Sequence, residues 1–373
     1  MSMPLTHALI IGKFYPPHKG HHLLVDTAAA ACARVSVVVM AASCESIPLE
    51  TRVAWMIEAH HSQPNVVVVG VVDDVPIDYE DPSIWSQHED LMRQALDSIG
   101  APPVTHVFSS ESYGDELARR FAARSVILDL ARSLVPVSAT QVRADPAACW
   151  EFLSLPVRRD LALRVVVVGA ESSGTTTLSR DLASEWRLRF GAKHNVCWVP
   201  EYGREYTVSK LAVATARAQL TGLPPPDLAS VEWESNEFEH IARRQQQLED
   251  EAASAGGPLL ICDTDVLATA VWHERYVGTW REELTEAAGN KERRLYLVTD
   301  HRDVPFEQDG LRDGENQREW MTERFRTVLA GSGLPFEVLT GNRKARLARS
   351  LELVEQLMAK GWCLAPPLTE RRA

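Results

Sequence analysis

The chain has 373 residues, too many for one ordinary domain and enough for two with separate cores. Its formal net charge of −12 argues against a general nucleic-acid binder, which shows a basic excess or stripe. No apolar run reaches membrane-spanning length, and the charged, proline-rich opening does not read as a signal peptide.

The six cysteines (Cys32, Cys44, Cys149, Cys197, Cys262, Cys363) form no CxxC pair and no zinc-finger spacing, so they read as reduced packing residues of a cytoplasmic protein. A short buried strand is predicted over His7–Gly12, followed by an Ala-rich helix over Gly20–Ala33. Between them lies Gly12-Lys13-Phe14-Tyr15-Pro16-Pro17-His18-Lys19-Gly20-His21. Backbone N–H groups at a helix start point at anions. Two imidazoles around a glycine, with Lys13 and Lys19 beside them, add donors and charge suited to a nucleoside triphosphate. Gly20 permits close backbone approach to the phosphates.

Further strands are expected over Arg34–Ala42, Asn65–Val72, Val104–Ser109 and Ser125–Leu130, with helices over Leu49–His60, Trp85–Ile99 and Gly114–Ala123. Continuous valine runs suit strands covered on both faces. Alternating βα units imply an α/β fold, a doubly wound parallel sheet with ligands at the carboxyl ends of its strands. Ser138-Ala139-Thr140-Gln141-Val142-Arg143 adds hydroxyls at a helix start and a guanidinium one turn later, which suits phosphate oxygens. By itself that hexapeptide also reads as an ordinary cap followed by a surface arginine.

A helix over Asp145–Leu153 and a charged turn, Pro156 to Asp160, are expected to separate the halves. The domain boundaries follow as 1–155, a linker at 156–162, and 163–373. The second half restarts with a strand over Leu163–Val168 that feeds Gly169-Ala170-Glu171-Ser172-Ser173-Gly174-Thr175-Thr176-Thr177. Later strands are expected over Val196–Pro200, Pro258–Cys262, Leu295–Thr299 and Phe336–Leu339. The fold class is therefore two doubly wound parallel-sheet domains in series.

The glycine-rich segment fits the P-loop pattern except at Thr175, where lysine normally bridges the β- and γ-phosphates. Uncompensated, that loss costs roughly two orders of magnitude in turnover, by analogy with removal of an electrostatic donor. Thr176 is the expected Mg2+ ligand. Asp263, in Asp263-Thr264-Asp265 after an apolar strand, is expected to act through Mg2+. Glu201-Tyr202-Gly203-Arg204-Glu205-Tyr206 offers a carboxylate for an acceptor hydroxyl. Asp309 to Gly314 and Arg318 read as a lid, from which Arg312 and Arg318 are candidates for the missing cation. A turn at EYGREY and a helix cap at DTD are the plainer readings.

The first half resembles the HxGH nucleotidyltransferases, in particular the nicotinamide-nucleotide adenylyltransferases with their GKFYPxHxGH segment. The resemblance implies transfer of AMP from ATP to nicotinamide mononucleotide, with catalytic roles for His18, His21, Lys13 and Arg143. It places Gly12, Phe14, Lys19, Gly20, Ser138 and Thr140 on ATP. Ser109-Ser110-Glu111-Ser112-Tyr113-Gly114 resembles the SSExYG segment near the adenosine, adding Ser109. Trp85, beyond Asp73-Asp74, is implied as the aromatic that stacks the nicotinamide ring, with core packing as the alternative. Arg52 and Arg132 read as phosphate contacts or as helix caps.

The second half resembles the ribosylnicotinamide kinase domain of the NadR-type bifunctional family, with ESSG, EYGRE, DTD and DGxR in the same order. That implies phosphorylation of nicotinamide riboside by ATP, with Gly169, Ser172, Ser173, Gly174, Thr175, Thr176, Thr177, Arg312 and Arg318 on the nucleotide, Glu201 and Asp263 catalytic, and Thr176 and Asp263 on Mg2+. The helix-turn-helix repressor domain of some members finds no room before the first strand, and neither nucleic acid nor membrane is an expected partner. Homo-oligomerisation is common among such adenylyltransferases. Two alternatives stand beside this reading: another phosphorylated acceptor such as phosphopantetheine, or a second domain that senses nucleotide without turnover. The Arg371-Arg372 pair reads as a solvated tail.

Overall fold

The computed structural model describes residues 6–78, 80–286, 294–302 and 304–368, and the Arg371-Arg372 pair lies outside them. The chain forms two compact units. One runs to Val157 and takes in the residues from Trp362 on; the other is Arg158–Gly361.

In the first unit, β1 (His7–Gly12), β2 (Arg34–Ala41), β3 (Val66–Val72), β4 (His106–Ser109) and β5 (Arg124–Ile127) form a parallel sheet of order β3-β2-β1-β4-β5. Strand order reverses at β1, so the crevice beyond its carboxyl end is the place where such sheets bind ligands. Val35, Val37, Val38 and Val39 are fully buried because helices cover both faces. The helix over Pro82–Ser98 starts three residues before its expected start at Trp85, since Asp81 caps it and Pro82 stands in its first turn.

The expected helix over Asp145–Leu153 does not form. Asp145 instead ends the helix Ala139–Ala144 in a non-helical conformation, because Pro146 removes an N–H and disfavours helical geometry before it. A single 3-10 turn, Trp150–Phe152, is what remains. The expected turn at Pro156 to Asp160 is helical, within Leu155–Leu161, with Pro156 tolerated in the first turn.

In the second unit, β6 (Leu163–Gly169), β7 (Cys197–Val199), β8 (Leu259–Asp263), β9 (Arg294–Thr299) and β10 (Phe336–Leu339) give a parallel sheet of order β10-β9-β6-β8-β7. Its reversal point is β6, which leads into the glycine-rich loop. The long helices Tyr202–Leu220 and Ser235–Ala255 occupy the stretch between β7 and β8. The expected second domain, 163–373, is corrected at its end. Residues from Trp362 pack with the first unit, where Tyr15 Oη donates to Ala365 O at 2.9 Å and Ala365 N donates to Ser46 Oγ at 2.7 Å. No described helix is long and apolar enough to cross a membrane.

Candidate active sites

The helix after β1 begins at Lys19 with His18 as its N-cap. The two imidazoles cap it reciprocally: His18 Nδ1 accepts Gly20 N–H at 3.2 Å, and His21 Nδ1 accepts His18 N–H at 3.2 Å. With each Nδ1 acting as acceptor, each neutral ring carries its proton on Nε2. The rings stack at 3.8 Å between centroids. Burial, with the His22 charge next, brings His18 down to about 4; burial and then the His18 charge take His21 well below the ordinary value. At neutral pH the pair is two uncharged N–H donors. Gly20 permits the stack, since a Cβ there would lie 3.1 Å from the His18 ring.

Positive charge comes from neighbours. Lys13 pairs with Glu45 at 2.8 Å, and Glu45 is also held by buried Arg52 at 2.6 Å. Arg52 additionally donates to Ile47 O and Lys13 O, so it secures the loop. Arg143 donates to Tyr15 O at 2.8 Å and to Thr140 Oγ1 at 3.1 Å, which joins the hexapeptide to the decapeptide. Ser138 caps its own short helix in a reciprocal pair with Gln141. Arg132 pairs with Glu111 at 2.7 Å, and exposed Lys19 reaches over the Phe152 ring.

Two cavities open here. One, of about 160 Å³, brings His18, Gly20 and His21 together with Ser138, Thr140 and Arg132. The other, of about 840 Å³, is lined by Gly12, Lys13, Phe14, His21, Trp85 and Arg143 among others. Trp85 is 7% exposed and packs in the core while also facing this cavity. Ser109 builds the turn after β4, accepting Glu111 N–H at 2.9 Å, and a Cβ on Gly114 would lie 2.7 Å from the Ser109 side chain. Sequence reasoning missed His88, which pairs with Asp73 at 2.8 Å in the larger cavity; a histidine 15 residues from its partner carries no local signal.

In the second unit the loop after β6 closes on itself. Ser173 Oγ bonds Ala170 O and Thr299 Oγ1, both at 2.6 Å, and a Cβ on Gly169 would meet Thr299 Oγ1 at 2.2 Å. Gly174 sits at φ +93°, which favours glycine, and caps the helix Thr175–Phe190. Thr177 is in its first turn. The Thr176 and Thr175 hydroxyls share a pocket with the Asp263 carboxylate and favour its ionised form. Burial pushes Asp263 up to about 6; burial, with the Asp263 charge next, pushes Glu201 up to about 8.

Both carboxylates line one pocket with Gly169, Ser172, Thr175, Thr176 and Arg312. Arg312 lies 3.5 Å from Ser172 Oγ and pairs loosely with Asp309 at 3.5 Å. Arg318 differs: it is 8% exposed, and its guanidinium donates to the carbonyls of Ser172, His301 and Val304, which supports the loop from behind. The pocket's far wall is aromatic, with Trp233, Phe238, Trp272 and Tyr276. That wall carries no local sequence signal, because Trp233 precedes the helix Ser235–Ala255 that holds Phe238, while Trp272 and Tyr276 come from the later helix Val266–Val277. A hydroxyl and a carboxylate lining one pocket beside a backbone cradle form a donor set that fits Mg2+ shared with phosphate oxygens.

Residues 164–346 match a family described as an AAA domain. The chain is 22% identical over 370 residues to the trifunctional NAD biosynthesis/regulator protein NadR of Escherichia coli (strain K12), covering 95% of this chain and 84% of that one. It is 22% identical over 367 residues to the NadR protein of Salmonella typhimurium (strain LT2), covering 94% and 83%. A crystal structure of NadR protein in complex with NR matches with a TM-score of 0.66 at 20% identity, covering 96% of this chain and 97% of that one. One in complex with NAD and AMP-PNP also gives 0.66 at 20% identity, covering 95% and 96%. The chain is homologous to the NadR proteins along nearly its whole length.

Proposed function

We propose that this NadR homologue is a nucleotide-binding enzyme of NAD metabolism whose first unit joins AMP from ATP to nicotinamide mononucleotide, giving NAD and pyrophosphate. The observation that carries the reading is the stacked His18–His21 pair, two neutral Nε2–H donors beyond the end of β1. An oxygen of the mononucleotide phosphate attacks the α-phosphorus of ATP, and the bond to the departing pyrophosphate oxygen breaks. His21, which faces both cavities, donates to the reacting phosphate, His18 steadies the tail, and Lys13 and Arg143 balance the charge that builds up. In this reading Gly12, Phe14, Lys19, Gly20, Ser138 and Thr140 form the ATP side, Ser109 shapes the adenosine edge, and Trp85 offers the ring its apolar face.

The second unit then phosphorylates nicotinamide riboside. Its pocket supplies a backbone cradle, two carboxylates and an aromatic wall for the ring. The riboside hydroxyl attacks the γ-phosphorus, its proton passes to the ionised Glu201 carboxylate, and ADP leaves. Mg2+, held by Thr176 and Asp263, supplies neutralisation of the phosphate charge when bound. Arg312 takes the place of the absent P-loop lysine, whereas Arg318 keeps the loop in shape. The NadR structures in complex with NR and with NAD and AMP-PNP support this pairing of substrates.

The test is product analysis with the purified chain. ATP with nicotinamide mononucleotide should release pyrophosphate and form NAD; release with phosphopantetheine instead overturns the acceptor. ATP with the riboside should yield the mononucleotide. Thr175 favours a second reading, a sensor that binds ATP without turnover; ATP binding without product, and activity gained on Thr175→Lys, would establish it.

A further inference from the structure

The chain leaves the second unit after Gly361, and its next residues seat on the first. Their seat is a closed hydrogen-bond circuit on the decapeptide. Ser46 N–H donates to Tyr15 Oη at 3.0 Å, Tyr15 Oη donates to Ala365 O at 2.9 Å, and Ala365 N–H donates to Ser46 Oγ at 2.7 Å. Ser46 Oγ reaches Cys363 O at 3.4 Å, and the Trp362 ring lies 6.1 Å from that of Trp150. Tyr15 is fully buried between two guanidinium groups, Arg52 at 4.2 Å and Arg143 at 5.4 Å from its ring centre. Pro367 and Leu368 then join the lining of the 840 Å³ cavity that contains Lys13, His21, Trp85 and Arg143.

The geometry points to a specificity role for this strap: residues 362–368 form an apolar wall of the acceptor side of the adenylyl-transfer site, with Leu368 and Pro367 packing on the flat heteroaromatic ring of the acceptor. The inference rests on the reaction proposed above for the first unit. Neither residue carries a group for chemistry, and the smaller cavity, which holds His18, does not include them. They share the larger cavity with Trp85, which offers the acceptor ring its apolar face in the reading above, so their main effect is on acceptor binding rather than on the bond-making step.

Two substitutions in the full chain test it. Ala365→Pro removes the N–H that Ser46 receives, and Leu368→Asp places a charge in the wall. Each should raise KM for nicotinamide mononucleotide about tenfold, within the range that apolar pocket changes produce. The kcat and the KM for ATP should stay within about twofold, a split that general loosening of the unit would not give. Leu368→Met should restore the wild-type KM, and a retained kcat for NAD formation serves as the internal check that the first unit is folded. An unchanged acceptor KM in both variants, or equal rises for acceptor and ATP, overturns the strap while the adenylyl-transfer reading stands. A wild-type chain that forms no NAD overturns both.

Discussion

Each unit places its glycine-containing loop after the central strand of a parallel sheet, where strand order reverses, yet the two loops are built on different physics. After β1 the loop is built on side chains: two stacked imidazoles cap the helix through their Nδ1 atoms, which leaves both Nε2 atoms outside the cap. After β6 it works through the backbone: Gly174 at φ +93° and the Ser173–Thr299 bond shape a cradle of N–H groups. Neither loop carries its own firm cation. Lys13 is held by Glu45 and Arg143 arrives from 128 residues away, while Thr175 stands where lysine is usual and Arg312 approaches from the segment after β9. In the proposed reading of both loops as phosphate sites, the sheet's reversal point fixes where the donors are and leaves open which segment brings the charge.

The sharpest way to break the comparison is to remove the side chains from the first loop. The double variant His18→Ala, His21→Ala should lower NAD formation roughly a hundredfold to a thousandfold, the cost of losing transition-state donors. Phosphorylation of the riboside by the same protein should be unaffected, because the second loop has no imidazole to lose. NAD formation at the wild-type rate in the folded variant would remove the basis of the first site.

The second loop is tested through its borrowed charge. Arg312→Ala should lower riboside phosphorylation roughly a hundredfold. In a Thr175→Lys background the same substitution should cost less than about tenfold, since two cations serving one phosphate do not add independently. Equal losses in both backgrounds would mean that Arg312 does not stand in for the lysine.

How much of this was legible beforehand divides along the same line. Valine runs marked out β2, β3 and β6, because strands inside such a sheet are apolar throughout. The decapeptide and the glycine-rich loop were legible because each is a contiguous segment. What pairs across the chain was not. Arg318 read as a free cation, and its three carbonyl partners lie 14 to 146 residues away. Trp233 and Tyr276, and His88 with Asp73, meet only through tertiary folding. The helix expected from Asp145 failed for a local reason that was readable, the proline at 146.

Acid should separate the loops next. Folding takes His18 from 6.5 down to about 4, chiefly by burial. As pH falls the unfolded chain binds this proton first, so its contribution to stability is complete above 6.5 and is lost between 6.5 and 4. The loss amounts to roughly 3 kcal/mol. Urea unfolding followed at pH 7, 5 and 4 should show a steeper fall for the wild type than for His18→Ala. Parallel curves would mean that His18 titrates alike folded and unfolded.

The smallest expected effects come from one methyl group added to each loop. At Gly174 a Cβ meets no atom within 4 Å, but the backbone sits at φ +93°. Gly174→Ala should therefore cost stability, about 1–2 kcal/mol for an L-residue held in left-handed geometry, through the backbone itself. At Gly20 no positive φ is involved, and the new Cβ would lie 3.1 Å from Cε1 and Nδ1 of His18. Gly20→Ala should leave the melting temperature nearly unchanged and displace the imidazole by a few tenths of an ångström. The expected cost is then kinetic, about tenfold in NAD formation, since small misplacements of a donor are felt in rate. If Gly20→Ala lowered stability and spared the rate, the first loop would be a backbone cradle like the second, and the contrast between them would disappear.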